Sequence, residues 1–216
     1  MKKLHMFATK AEWRKARKGT IGGSDAAAAI GMNPYKSNVE LWHEMTGRVE
    51  AQDISDNPAV KYGTEAEPLI RGLFALDHPE YEVKYDGDAF WTNNKYPFAH
   101  ASLDGRLESP IVYSNGGVLE IKTATIQNGL QMRDWKDQIP MHYYIQLVYN
   151  IAVYDADFGV LVAQLKFANG MEKITREYTV TRRDVNDDIE IVMDGVERFY
   201  KAVEKDTEPP LKLPMF

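Results

Sequence analysis

Cysteine is absent from the 216 residues, which excludes disulfides, thiolate zinc sites, cysteine nucleophiles and iron–sulfur clusters together. A reducing compartment is thereby permitted, although the lack of thiols does not demand one. Long apolar runs are missing too. No stretch approaches the ~20 residues that a membrane-spanning helix needs, and Met1-Lys2-Lys3-Leu4-His5 opens without the apolar core of a signal peptide. The expectation is a soluble cytoplasmic protein with no membrane partner. No G-x-x-x-x-G-K-[ST] loop occurs, which argues against a built-in ATPase motor. His43-Glu44 is not followed by a second histidine at metalloprotease spacing, and the five histidines are scattered. Positive charge is also short overall: the formal net charge is −6, unlike that of a protein that passively coats nucleic acid.

What is present is unevenly spread. Residues 1–18 hold seven basic groups (Lys2, Lys3, Lys10, Arg14, Lys15, Arg17, Lys18) against Glu12 alone, a local +6, so the other 198 residues carry −6 − 6 = −12. A basic segment on an acidic body suits an enzyme that grips a polyanion locally, and it suits a solvated helix equally well. The hydrophobic content of 44% is enough for one core, and no linker divides the chain. We expect a single domain over 1–207 with a tail over 208–216.

Local patterns give the element order. Ala11 to Lys18 reads as a basic helix, and Ser24 reads as the N-cap of a small helix running through Ala26–Ala29. Ser37-x-x-Glu40 is a capping box before Leu41 and Trp42. Tyr62, Ala66, Leu69, Ile70, Leu73 and Phe74 recur at helical spacing over 59–76, with Pro68 predicting a kink or restart. Short strands follow over 81–85, 89–92 and 98–103. The next two, 106–113 and 118–123, flank Ser114-Asn115-Gly116-Gly117, where Asn-Gly tolerates the positive φ of a hairpin turn. A helix over 141–154, strands over 158–167 and 173–180, and a helix over 184–205 complete the chain. This is an α/β (α+β) order, implying a mixed sheet flanked by helices.

One grouping carries chemistry. Asp104-Gly105 ends one expected strand, while Glu120 and Lys122 alternate with Leu119 and Ile121 on another, so Glu120 and Lys122 share a face. Two carboxylates at neighbouring strand ends can hold Mg²⁺, a hard cation that takes a few oxygen ligands and keeps waters. The lysine can orient or deprotonate an attacking water, or stabilise charge on a pentacovalent phosphate. Alone, Glu-x-Lys is also what an exposed ion pair on a half-buried strand looks like, and Asp-Gly is a frequent turn.

Ser102-Leu103-Asp104-Gly105 followed by Glu120-Ile121-Lys122 resembles the PD-(D/E)xK nuclease signature, and more narrowly the lambda-exonuclease/YqaJ-type viral recombinase family. Arg17-Lys18-Gly19-Thr20-Ile21-Gly22-Gly23-Ser24 resembles that family's R-x-G-x-I-x-x-S element. Tyr62-Gly63-Thr64-Glu65-Ala66-Glu67 resembles its helix whose last Glu faces the metal site, and Gln146-Leu147-Val148-Tyr149 resembles its Q-x-x-Y helix. The elements occur in family order from Arg17 to Tyr149. Leu103 stands where the signature has Pro, and the segment between Asp104 and Glu120 is longer than in compact members.

The resemblance implies a restriction-endonuclease-like fold and a Mg²⁺-dependent exonuclease, with Mn²⁺ able to substitute. It implies catalytic Asp104, Glu120, Lys122 and Gln146, and a metal set of Asp104, Glu120, Ile121 and Glu67. It further implies a pocket for a terminal 5′-phosphate at Arg17, Ser24 and Ser102. The partners it implies are double-stranded DNA ends, a single-strand annealing protein and copies of the same chain in a ring-shaped trimer, at work in phage or prophage recombination. A site-specific or structure-specific endonuclease would keep the acids and the lysine but would not need the pocket at Arg17 and Ser24. A non-catalytic DNA-binding module would not need to retain both acids and the lysine.

Overall fold

The computed structural model describes residues 1–108, 115–167 and 172–212. Its elements run β1 (Lys2–Met6), α1 (Lys10–Arg17), β2 (Ile21–Gly22), α2 (Gly23–Ala29), α3 (Asn38–Met45) and α4 (Pro58–Asp77). Then come β3 (Glu82–Lys84), β4 (Ala89–Asn93), β5 (Tyr96–Ala101), β6 (Gly105–Glu108), β7 (Gly117–Ile126) and α5 (Gly129–Asp134). The chain closes with α6 (Met141–Tyr154), β8 (Phe158–Phe167), β9 (Lys173–Thr181) and α7 (Asn186–Glu204). The fold is mixed α/β, as expected. Its strands, however, divide into two sheets, ordered β1-β4-β5-β2 and β3-β6-β7-β8-β9.

At the centre of the larger sheet β7 and β8 pair in parallel from Gly117↔Phe158 to Ile126↔Phe167, with β6 and β9 added antiparallel on either side. A parallel pair needs a crossover, and α5 and α6 supply it. Both faces of this pair are covered. Leu119 and Ile121 pack with Ala66, Ile70 and Phe74 of α4, whereas Val118 belongs to the main core with Leu147, Val148 and Ile151 of α6. A strand covered on both faces leaves any polar side chain at its centre away from water, which is where Glu120 falls.

The smaller sheet joins the N-terminus to the body. β1 lies antiparallel to β4, and the two-residue β2 lies parallel to β5 with Gly22 opposite His100. Behind it, Ala26, Ala27, Ala28 and Ala29 of α2 are all buried and pack in the core with α6. Their small side chains allow the close approach that places the start of α2 beside the larger sheet.

Several local expectations need correction. Ser24 is not the N-cap of α2: Gly22, extended at φ −93° and ψ 162°, holds that position, and Ser24 lies inside the first turn. At the first helical residue, Gly23, a β-carbon would stand 2.5 Å from Asn150 Oδ1, so a larger residue there would push against α6. Pro68 does not restart α4, which is one helix from Pro58 to Asp77. Pro68 and Thr64 are both exposed, so the Thr64 carbonyl that loses its amide partner faces water. Leu69 and Leu73 do not join the core, being 70% and 58% exposed, because the buried line of α4 is Ala66, Ile70 and Phe74.

Strand β1 and helix α5 were not anticipated, and β7 runs further at its C-terminal end than expected. The expected strand over 106–113 is present as far as Glu108; residues 109–114 lie outside the described residues, as do 213–216. Gly116 has φ +70°, as the hairpin reading requires. The first part of the tail is docked: Asn38 donates to the Pro210 carbonyl at 2.9 Å and accepts from the Lys212 amide at 2.9 Å. Among the described residues no helix is long and apolar enough to cross a membrane.

Candidate active site

Glu120 is 1% exposed, so it is no surface partner of Lys122. Its carboxylate accepts from Gln146 Nε2 at 2.6 Å and from Asn150 Nδ2 at 2.8 Å, and it pairs with Lys122 Nζ at 2.6 Å. Gln146 and Asn150 are four residues apart on α6 and therefore share one face. Burial pushes the Glu120 carboxyl up to about 7, with Asp104 adding to the rise and Lys122 opposing it. For Lys122, burial alone would lower the ammonium, but Glu120 and Asp104 raise it overall, so it stays protonated.

Asp104 reaches the same place from the far strand. Its Oδ2 accepts from the Ile121 amide at 2.7 Å, continuing the β6–β7 ladder where β6 has ended. Backbone N–H and C=O of one strand residue point to the same side, so the Ile121 carbonyl also faces Asp104. Burial raises the Asp104 carboxyl, and Lys122 and the Ile121 amide pull against that rise. Glu67 arrives from α4, where it pairs with Arg71 at 2.9 Å; burial and the charge of Asp104 raise it.

Arg17, Ser24, Glu67, Ser102, Asp104 and Gln146 line one cleft of about 320 Å³. A neighbouring cavity of about 500 Å³ shares Ser24, Glu67, Asp104 and Gln146 and adds Ile121 and Lys122. The sequence-derived residues therefore converge, with Glu120 directly behind the wall. They do not all touch. Both Glu120 oxygens are occupied, Glu67 is held by Arg71, and among the described residues no three His, Asp or Glu side chains close on one point as a ready metal cage.

The donor set nonetheless suits a hard cation. It offers carboxylates under mutual repulsion, the Ile121 carbonyl on the side of Asp104, and the buried Ser102 hydroxyl, which has no hydrogen-bond partner among the described residues. Mg²⁺ needs only one or two carboxylates and keeps its waters, so a full protein cage is not required.

At the other end of the cleft Arg17 donates from Nε to His100 Nε2 at 2.8 Å and lies over the Trp13 ring at 4.3 Å. Tyr149 of α6 donates to the Ile21 carbonyl at 2.5 Å, tying the helix that carries Gln146 to the strand that follows Arg17.

The YqaJ-like viral recombinase domain model matches residues 12–157, which include every residue of this constellation. The chain belongs to that family. It is 28% identical over 162 residues to the uncharacterized protein YqaJ of Bacillus subtilis (strain 168), covering 72% of this chain; it spans about half, 47%, of that relative's length. The alkaline exonuclease LHK-Exo of Laribacter hongkongensis shares the fold at a TM-score of 0.65 and 20% identity, over 91% of this chain and 93% of that one. A second structure of LHK-Exo, in complex with dAMP, matches at a TM-score of 0.62 and 19% identity, over 90% and 95%.

Sequence reasoning missed two residues of this family member's site. Asn150 had a readable signal, an amide four residues after Gln146 in an otherwise apolar helix. His100 had none beyond a polar ring inside the apolar run 96–101; its role depends on β2 lying beside β5, a pairing between distant segments.

Proposed function

We propose that this protein is a Mg²⁺-dependent exonuclease that hydrolyses linear duplex DNA from 5′-phosphorylated ends in the 5′ to 3′ direction, in phage-type recombination. The observation that carries this reading is a pair of adjoining cavities that share Asp104, with Lys122 and the buried Glu120 beside it on one side and, on the other, an arginine that forms no ion pair among the described residues. Asp104, Glu120 and the Ile121 carbonyl would hold the cation, with Glu67 beside them. The chemistry such a cation supplies when bound is charge stabilisation at the phosphoryl group and acidification of the attacking water.

The chain's own groups do the rest. Gln146 and Asn150 hold Glu120 in one orientation through two amide hydrogen bonds. Lys122, kept protonated by the two acids, can orient the water and stabilise the charge that builds on phosphorus. Water oxygen bonds to phosphorus as the P–O3′ bond breaks; the water gives up one proton and the departing O3′ takes one up, so the step is neutral in protons overall. That bond choice leaves a new 5′-phosphate on the shortened strand, which the Arg17 end of the cleft can receive again.

The family resemblance adds a ring-shaped trimer and an annealing partner to this reading, and Mn²⁺ as a substitute ion. The test of the core proposal is degradation of a linear duplex against a closed circle of the same sequence, with Mg²⁺ or with chelator. Loss of the linear form alone, and only with metal, is expected. Equal cutting of the circle would favour an endonuclease; no cutting of either would leave a DNA-binding module.

A further inference from the structure

Arg17 forms no ion pair among the described residues, although its side chain is half-buried and burial lowers it from its usual value against the opposing charge of Asp25. A buried cation is normally partnered by a carboxylate. Here the partner is an imidazole. His100 is 1% exposed, accepts the Arg17 Nε–H at 2.8 Å through Nε2, and lies 2.9 Å from the Thr20 hydroxyl through Nδ1. The Thr20 hydroxyl has its own acceptor in the Arg17 carbonyl at 3.4 Å, which frees its oxygen to take a proton from Nδ1. The network therefore selects the tautomer with hydrogen on Nδ1 and a lone pair on Nε2. Burial first, and the arginine charge second, hold His100 down to about 3, so the ring is neutral.

We propose that His100 is the positioning residue of the arginine end of the cleft: it orients the Arg17 fork toward a terminal 5′-phosphate without cancelling its charge. The inference rests on the reading of Arg17 as the 5′-phosphate ligand. Two features show that the arrangement is built. A β-carbon at Gly22 would stand 2.9 Å from His100 Nε2 and 3.0 Å from an Arg17 terminal nitrogen, so glycine there makes room for the pair. Trp13 lies against the guanidinium at 4.3 Å while His100 takes its Nε edge, so the fork is held from two directions. With Nε committed to His100, the terminal nitrogens keep their donors for a ligand, and Arg17 lines a cleft with the exposed Ser24 and with the Ser102 hydroxyl, which has no partner among the described residues. A carboxylate in the place of His100 would orient the fork equally well. It would also neutralise it, and the pull on a dianionic phosphate would fall.

The experiment measures the ratio of digestion rates on 5′-phosphorylated and 5′-hydroxyl linear duplexes. Its substitutions are Arg17→Ala, His100→Leu, His100→Gln and Thr20→Val, each checked by thermal unfolding, together with the Arg17→Ala/His100→Leu double variant. Arg17→Ala should lower the ratio toward one. His100→Leu, which keeps an apolar ring-sized filler but no acceptor, should lower it several-fold through KM on the phosphorylated substrate. Gln, whose Oε1 can stand where Nε2 stood, should restore part of it. In the Arg17→Ala background His100→Leu should change the ratio no further. Should His100→Leu fail to fold, Thr20→Val tests the same network by removing the tautomer lock, with a smaller drop expected. If the wild-type ratio is one, or Arg17→Ala leaves it intact, the phosphate reading itself fails. If Arg17→Ala erases the preference but folded His100→Leu or Thr20→Val keeps it, the positioning role is overturned.

Discussion

On one side of the site the protein groups acids, Glu120 fully buried among them, around a lysine, and on the other it sets a half-buried arginine against a buried, neutral histidine. Both arrangements are costly in isolation, because charge taken out of water must find compensation. The costs have opposite signs. The Asp104–Glu120–Glu67 end carries three carboxylates, with Lys122 between two of them and Arg71 on the third, so its protons are held more tightly than usual and a cation would relieve it. At the other end Arg17 has no ion pair among the described residues, Asp25 acting on it only from beyond ion-pair range, so an anion would relieve that end. A phosphodiester chain with a metal ion at one phosphate and a free terminal phosphate further on supplies both at once.

The comparison breaks most visibly at the acidic end. Glu120→Gln, Asp104→Ala and Lys122→Ala should each reduce cleavage of a linear duplex by on the order of 10²–10³-fold or more, the scale of removing a group that stabilises transition-state charge. The folded state should persist in each. The carboxylate changes should also weaken Mn²⁺ binding, measured by calorimetry, whereas Lys122→Ala should not. Near-normal turnover in Lys122→Ala would remove the chemistry from this end.

Arg17→Ala probes the other end. Losing a charge-assisted contact of ~1.5–3 kcal/mol should cut the preference for a 5′-phosphate by roughly 10–100-fold. Uniform weakening on phosphorylated and hydroxyl ends, with a shallower salt dependence of binding, would instead mark Arg17 as a simple backbone contact.

How much of this was legible depended on range. Glu120 and Lys122 on one face of β7, the capping box at Ser37 and the turn at Gly116 are settled by neighbours in sequence, and they were readable. That Glu120 is buried was not, because burial requires α4 and α6 to cover both faces of β7. The Ser24 N-cap reading failed for a related reason: Gly22 ends the strand that pairs with β5 and is itself the N-cap, and that pairing joins segments some eighty residues apart. Leu69 and Leu73 have helical spacing, but only the packing against β7 and β8 decides which apolar line of α4 turns inward.

Glu67 sharpens the comparison more gently. Held by Arg71 yet raised by burial and by Asp104, it is placed to tune occupancy of the site. Glu67→Ala should cost about tenfold in rate at low Mg²⁺ and little at saturating Mg²⁺. An equal loss at every concentration would point to the helix packing around Arg71.

A last change, read in stability instead of activity, concerns His100. Its folded-state value of about 3 lies below the ordinary 6.5, so the neutral ring contributes stability that is fully present above pH 6.5 and is lost as pH falls toward 3. Between pH 7 and 5 that loss amounts to about 2 kcal/mol. Folded His100→Leu should lack this part of the slope in urea unfolding. A slope identical to wild type would mean that His100 is not held neutral.

The most direct test of two separate tasks in one cleft uses Lys122→Ala alone. Single-turnover cleavage and equilibrium binding are measured on the same 5′-phosphorylated linear duplex in Mg²⁺. The account predicts that cleavage is lost while the dissociation constant, and its advantage over the 5′-hydroxyl duplex, stay within a few-fold of wild type. Retained cleavage, or loss of the end preference together with cleavage, would contradict it.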